Sequence, residues 1–112
     1  MADEWIRVAS SSDVPEGGTL QVAVAGEPVC LYKIEGLIYA THDMCTHEDA
    51  SLADGFIDGE CIECPLHQAM FHIPTGAVRS PPATQALRIY PVRVTGGDVH
   101  VRATPSETPH IA

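Results

Sequence analysis

Phe56-Ile57-Asp58-Gly59-Glu60-Cys61-Ile62-Glu63-Cys64-Pro65-Leu66-His67 is the stretch on which the fold turns. Asp58-Gly59 between two short apolar runs is a hairpin signal, because a tight turn needs a residue that accepts positive φ. It joins Phe56-Ile57 to Cys61-Ile62-Glu63. Directly after the second run comes Cys64, and three residues on comes His67. A strand end therefore offers one thiolate and one imidazole on a short loop. Upstream, Cys45-Thr46-His47 makes the same offer, with sixteen residues between His47 and Cys64.

Outward from this pair the chain reads as more short strands. Trp5 to Ala9 is a first one. Leu20, Val22 and Val24 alternate with smaller or polar neighbours between Thr19 and Ala25, as a half-buried strand requires. Gly26-Glu27-Pro28 is expected to turn the chain into Val29–Ile34, and Glu35-Gly36 to turn it again into Leu37–Thr41. Met70–Ile73 is another short strand. Leu87–Val94 and Val99–Arg102 flank a third hairpin signal, Gly96-Gly97-Asp98, and Pro91 marks an edge or a bulge in the first of them. Helical periodicity is absent, so the expected class is all-β.

The middle of the chain differs from its ends. Ile34 to Val78 contains no Lys or Arg but eight acids: Glu35, Asp43, Glu48, Asp49, Asp54, Asp58, Glu60 and Glu63. Three of the four cysteines and four of the six histidines fall there. This places a small subdomain, about residues 42–85, inside a framework built from both ends. Residues 1–103 form one domain on this reading, and the polar, proline-punctuated residues 104–112 a mobile tail. With 112 residues and a formal net charge of −9, one small acidic domain is expected. Nucleic acid is a poor partner for such a surface, as is an anionic membrane, and no apolar run approaches a membrane span. The N-terminus has neither a basic start nor an apolar stretch of signal-peptide type, which points to the cytoplasm. There thiols stay reduced, and clustered Cys and His point to metal.

Thiolates favour soft metals and iron–sulfur clusters, and imidazole accepts iron or zinc. Residue chemistry alone leaves two metals open. Cys61-Ile62-Glu63-Cys64 has the spacing of a structural zinc site, but a Cys61/Cys64 pair leaves His67 without a role. Cys61 also falls on the apolar alternation of its strand and reads as a partly buried thiol. Cys30, between Val29 and Leu31, reads as core. His42, His72, His100 and His110 read as surface or hydrogen-bonding groups. The acids read as a solvated face or as a docking surface around the loops. Met44 and Leu66, beside the cysteine loops, read as exposed contacts or as packing.

The combination Cys45-Thr46-His47, Ala50-Ser51-Leu52, Glu63-Cys64-Pro65-Leu66-His67-Gln68, Phe71 and Thr75-Gly76 resembles the Rieske family. Specifically, it is similar to the small Rieske ferredoxins that serve bacterial aromatic-ring oxygenases of naphthalene or biphenyl type. The resemblance covers nearly the whole chain, most closely residues 40–95. It implies a Rieske fold, an antiparallel β-sandwich framework with an inserted cluster-binding subdomain. It implies one [2Fe–2S] cluster, with Cys45 and Cys64 on one iron and His47 and His67 on the other. Pro81 and Pro82 sit where the family has a loop covering the cluster. The implied role is that of an electron carrier and not an enzyme, a monomer accepting electrons from a flavin-containing ferredoxin reductase and passing them to a terminal oxygenase. A small subunit of an assimilatory reductase, or a zinc-stabilised interaction module, is the alternative.

Two departures refine the resemblance. Respiratory and photosynthetic Rieske proteins join their two loops by a disulfide, whereas the matching positions here are Ala50 and Leu66. High-potential members also place a serine and a tyrosine two and four residues after the second histidine. Here those positions are Ala69 and Phe71. The first departure places the chain on the ferredoxin branch, and the second implies a low reduction potential.

Overall fold

The computed structural model describes residues 5–45, 50–65, 69–80 and 85–103. His47 and His67, Glu48 and Asp49, Leu66, the proline loop at 81–82 and the tail at 104–112 lie outside them. Eleven strands run in order: β1 (Trp5–Ser10), β2 (Thr19–Val24), β3 (Glu27–Ile34), β4 (Leu37–His42), β5 (Phe56–Asp58), β6 (Cys61–Glu63), β7 (Met70–His72), β8 (Val78–Ser80), β9 (Ile89–Tyr90), β10 (Val92–Thr95) and β11 (Asp98–Arg102). All their pairings are antiparallel. Two single 3-10 turns, Ser11–Asp13 and Leu52–Asp54, are the only helical pieces among the described residues.

The strands make three sheets, ordered β1-β11-β10, β2-β3-β4-β9 and β5-β6-β7-β8. The first two pack face to face over Ala9, Val14, Val24, Val29, Leu31, Ala40, Tyr90, Val99 and Val101. A second core holds Cys30, Tyr32, Cys45, Leu52, Ile62, Cys64, Phe71, Ile73 and Leu87. Strand alternation explains how one chain serves both. On β3, Val29 and Leu31 point into the first core, and Cys30 and Tyr32 point from the opposite face into the second. The four-stranded sheet of β2, β3, β4 and β9 is thus the middle layer of three, and β3 is buried on both sides. All four of these residues are fully buried.

The turns hold the layers in register. Ala25-Gly26, at φ 51° and 84°, and Glu35-Gly36, at φ 51° and 80°, are two-residue turns with both residues left-handed. The backbone twist of such turns matches that of the strands they join. The first of these turns lies earlier than the sequence suggests, because Glu27 and Pro28 already pair with Val24 and Ala23. The hairpin at Asp58-Gly59 forms one residue later, with Asp58 still paired to Cys61 and Gly59 at φ 63°. Leu87–Val94 is not one strand. Pro91, which has no N–H to give a ladder, stands where the chain leaves β4 as β9 and joins β11 as β10.

Candidate metal centre

Cys45 and Cys64 each begin a loop, and the two loops are built alike. The Cys45 N–H donates to the Ala50 carbonyl at 2.9 Å, and the Cys64 N–H donates to the Ala69 carbonyl at 2.8 Å. Each loop thus closes on itself five residues after its cysteine. The first is pinned further by the bridge between Met44 and Ser51. The second springs from β6 and returns as β7, whose pairing of Glu63 with Met70 fixes both feet. Within each closed loop lies one histidine of the expected quartet, two or three residues from the cysteine.

The two cysteines share one core. Cys45 is 3% exposed and Cys64 1% exposed, among Ala50, Leu52, Ile62, Ala69 and Phe71. Apolar packing keeps water from this end of the site. The other end faces outward, since Met44 and Pro65 beside the cysteines are exposed. Two buried thiols on self-closing loops, each followed by a histidine in the sequence, fit a cluster held by two thiolates and two imidazoles. Cys61 is not part of the core that holds these two cysteines. It pairs across the sheet with His72 and is half-buried.

Gly55 supports the second loop from below. A side chain there would run into the carbonyl of Glu63, the residue before Cys64. Gly76, at φ 77°, lies as closely against the Leu87 carbonyl, and its own carbonyl accepts the Leu87 N–H at 2.9 Å.

Asp43 corrects the reading of the acids as surface charge. It is 2% exposed. Its Oδ2 accepts from Gln21 Nε2 and from Ser51 Oγ, each at 2.6 Å, and its Oδ1 accepts the Ala53 N–H at 3.0 Å. Beneath it, the Thr41 hydroxyl gives its proton to the His42 carbonyl at 2.9 Å. Tyr32 must therefore donate across its 2.7 Å contact with Thr41 Oγ1. Burial holds the Tyr32 hydroxyl well above its usual range. Burial likewise pushes the Cys30 thiol up, and the charge of nearby Asp43 adds to the effect. Cys30 is therefore an inert core thiol and no ligand candidate.

Two further histidines, His42 and His72, have structural partners, whereas His100 Nδ1 is buried without one among the described residues. His42 Nε2 lies 3.0 Å from Glu27 Oε1. His72 bridges Thr75 Oγ1 at 2.8 Å and Glu60 Oε1 at 3.2 Å. Among the described residues, no helix is long and apolar enough to cross a membrane.

Comparison with known proteins agrees with this architecture. Residues 4–91 match the family described as the Rieske [2Fe-2S] domain. The chain is 44% identical over 101 residues to the ferredoxin component of the naphthalene 1,2-dioxygenase system of Pseudomonas aeruginosa, covering 90% of this chain and 97% of that one. It is 41% identical over 98 residues to the biphenyl dioxygenase ferredoxin subunit of Pseudomonas sp. strain KKS102, covering 87% and 90%. It also superposes on a chain of the solved complex between reduced oxygenase and oxidized ferredoxin of carbazole 1,9a-dioxygenase. That match has a TM-score of 0.87 at 38% identity and covers 92% of this chain and 96% of that one.

Proposed function

Because the chain belongs to the Rieske [2Fe–2S] family, we propose that it carries single electrons from a flavin-dependent ferredoxin reductase to a terminal aromatic-ring oxygenase. The observation that carries this reading is the pair of self-closing loops with Cys45 and Cys64 buried in one core. Cys45 and Cys64 would hold one iron, and His47 and His67 the other. When bound, the cluster takes up one electron and releases it again. The chain's own residues do the rest. Leu52, Ile62 and Phe71 exclude water behind the cysteines. Met44 and Pro65 leave the loop ends open to a partner. No catalytic residue is assigned, and substrate chemistry belongs to the oxygenase.

Residues 1–103 form one domain on this reading, with residues 42–85 as its cluster-binding part. A cytoplasmic monomer suits the free thiols of Cys30 and Cys61. Relatives at 41–45% identity that are ferredoxins of dioxygenase systems favour this role over that of a reductase subunit.

The test is reconstitution with iron and sulfide, then reduction. A coloured protein whose reduced form gives the paramagnetic resonance of mixed His/Cys ligation is expected. His47→Ala and His67→Ala should each abolish that signal, and Cys61→Ser should keep it. Product should form when the protein is combined with a ferredoxin reductase and an aromatic-ring dioxygenase, and should stop when it is omitted. A colourless zinc protein would sink the proposal.

A further inference from the structure

Asp43 is the buried charge for which electron carriage as described has no use. It stands at the end of β4, two residues before Cys45. Its bonds reach backward and forward at once. Gln21 belongs to β2, while Ser51 and Ala53 lie just beyond the closure of the Cys45 loop. Its backbone adds two more ties, donating to the Pro28 carbonyl at 3.0 Å and accepting the Leu52 N–H at 2.8 Å. One residue therefore joins both feet of the first cysteine loop to the middle sheet. Among the described residues, its carboxylate contacts only neutral donors and no Lys, Arg or His.

We propose that Asp43 is a positioning residue for the Cys45 loop, and that its buried carboxylate makes the cluster harder to reduce. The inference rests on the cluster reading given above. A buried charge is expensive to hold, and a neutral side chain with the same bonds would fix the loop as well. The charge therefore has a consequence of its own. Reduction adds a negative charge to the cluster. Consecutive Cα atoms are about 3.8 Å apart, so Asp43 lies within roughly 7–8 Å of the Cys45 backbone. At an effective dielectric of about 20, charges at such separations still interact appreciably. Asp43 is 2% exposed, so little water reaches it to screen its charge.

Asp43→Asn separates the two roles. The substituted amide can still accept the Ala53 N–H. Its NH₂ can donate to Ser51 Oγ, whose hydroxyl is free to rotate, and Gln21 can turn its carbonyl toward it. The loop stays tied while the charge is gone. Reduced Asp43→Asn should keep the wild-type resonance spectrum, and its reduction equilibrium should shift on the order of tenfold toward the reduced state, ~59 mV for one electron. The exposed Asp54→Asn is the control and should leave the equilibrium close to wild type. An unchanged potential in Asp43→Asn with an intact spectrum would overturn the proposal. If Asp43→Asn does not hold the cluster, Ser51→Ala decides. It removes one tie and keeps the charge, so it should lose iron several-fold faster under chelator, with no rise in potential; retention equal to wild type overturns the proposal. Failure of the wild-type protein to form any iron–sulfur chromophore would instead defeat the cluster reading on which the inference rests.

Discussion

Ala69 and Phe71 are both fully buried beside Cys64 in the second core, and neither brings a hydroxyl to it. Hydrogen bonds to cluster sulfur favour the reduced state, whose sulfurs are more negative. A cluster lacking them, with Asp43 close by, should have a potential near the lower end of the Rieske range, about −150 mV. Such a bond is worth roughly 1.5–3 kcal/mol in full, but only the difference between redox states counts. Ala69→Ser should therefore raise the potential by some tens of millivolts, about half the full bond, as read by redox titration. A wild-type potential well above zero would remove the basis of this argument. Gly55→Ala should be destabilising, by about 1–3 kcal/mol in chemical denaturation, because the added carbon meets backbone and not a movable side chain. Cys45 and Cys64 stood out as candidates in the sequence because two residue types recur at fixed spacings, and the structure buries both in one core. Asp43 did not. In the sequence it is one of eight acids between Ile34 and Val78, and burial is decided by Gln21, Pro28 and Ser51, which are distant along the chain. The one available signal was its place between a strand end and the Cys45 loop.

The hairpins were legible for a local reason. Their turns need left-handed residues, and Gly26, Gly36, Gly59 and Gly97 all have positive φ. What local sequence lacks is the destination of each strand. Pro91 announced an interruption, yet nothing local says that β9 and β10 belong to different sheets. Val78–Ser80 went unread because three residues carry no period, and its pairing with β7 is itself irregular. Two turn positions hold a residue other than the favoured glycine or asparagine: Ala25 and Glu35, both at φ 51°. A left-handed conformation costs an ordinary residue about 1–2 kcal/mol. Ala25→Asn should recover about 0.5–1 kcal/mol of it and raise Tm. Glu35→Asn should gain similarly, because the Glu16 carboxylate, which accepts the Glu35 and Gly36 N–H groups at 2.6 and 2.9 Å, binds backbone that the substitution leaves in place. A lower Tm in both variants would show that the turns are not strained.

Basic residues are unevenly spread over the layers of the described residues. The outer three-stranded sheet, farthest from the cysteine loops, carries Arg7, Arg93 and Arg102, half of the six Lys and Arg in the chain. Arg93 lies 4.4 Å above the Trp5 ring and Arg102 5.6 Å from it. On the cysteine side, Asp54, Asp58 and Glu60 are exposed against a single exposed cation among the described residues there, Arg79 on β8. A partner with a basic face would thus be drawn to the loop end and turned from the opposite one. Electron-transfer rates should fall as salt rises, since screening shortens to about 8 Å at physiological ionic strength. Asp54→Asn with Asp58→Asn should slow association while leaving the potential nearly unchanged, as measured by stopped-flow at two salt concentrations. Rates indifferent to salt would return these acids to plain solvation. The doubly buried β3 has a consequence for how the protein comes apart. Its amide protons cannot reach solvent by a breathing of the loop end alone, because the same strand forms a wall of the far core. Stripping iron should therefore hasten deuterium uptake at Val29–Tyr32 and at Val99 and Val101 by one common factor. Uptake that quickened in β6 and β7 while β3 stayed protected would mean that the layers open one by one.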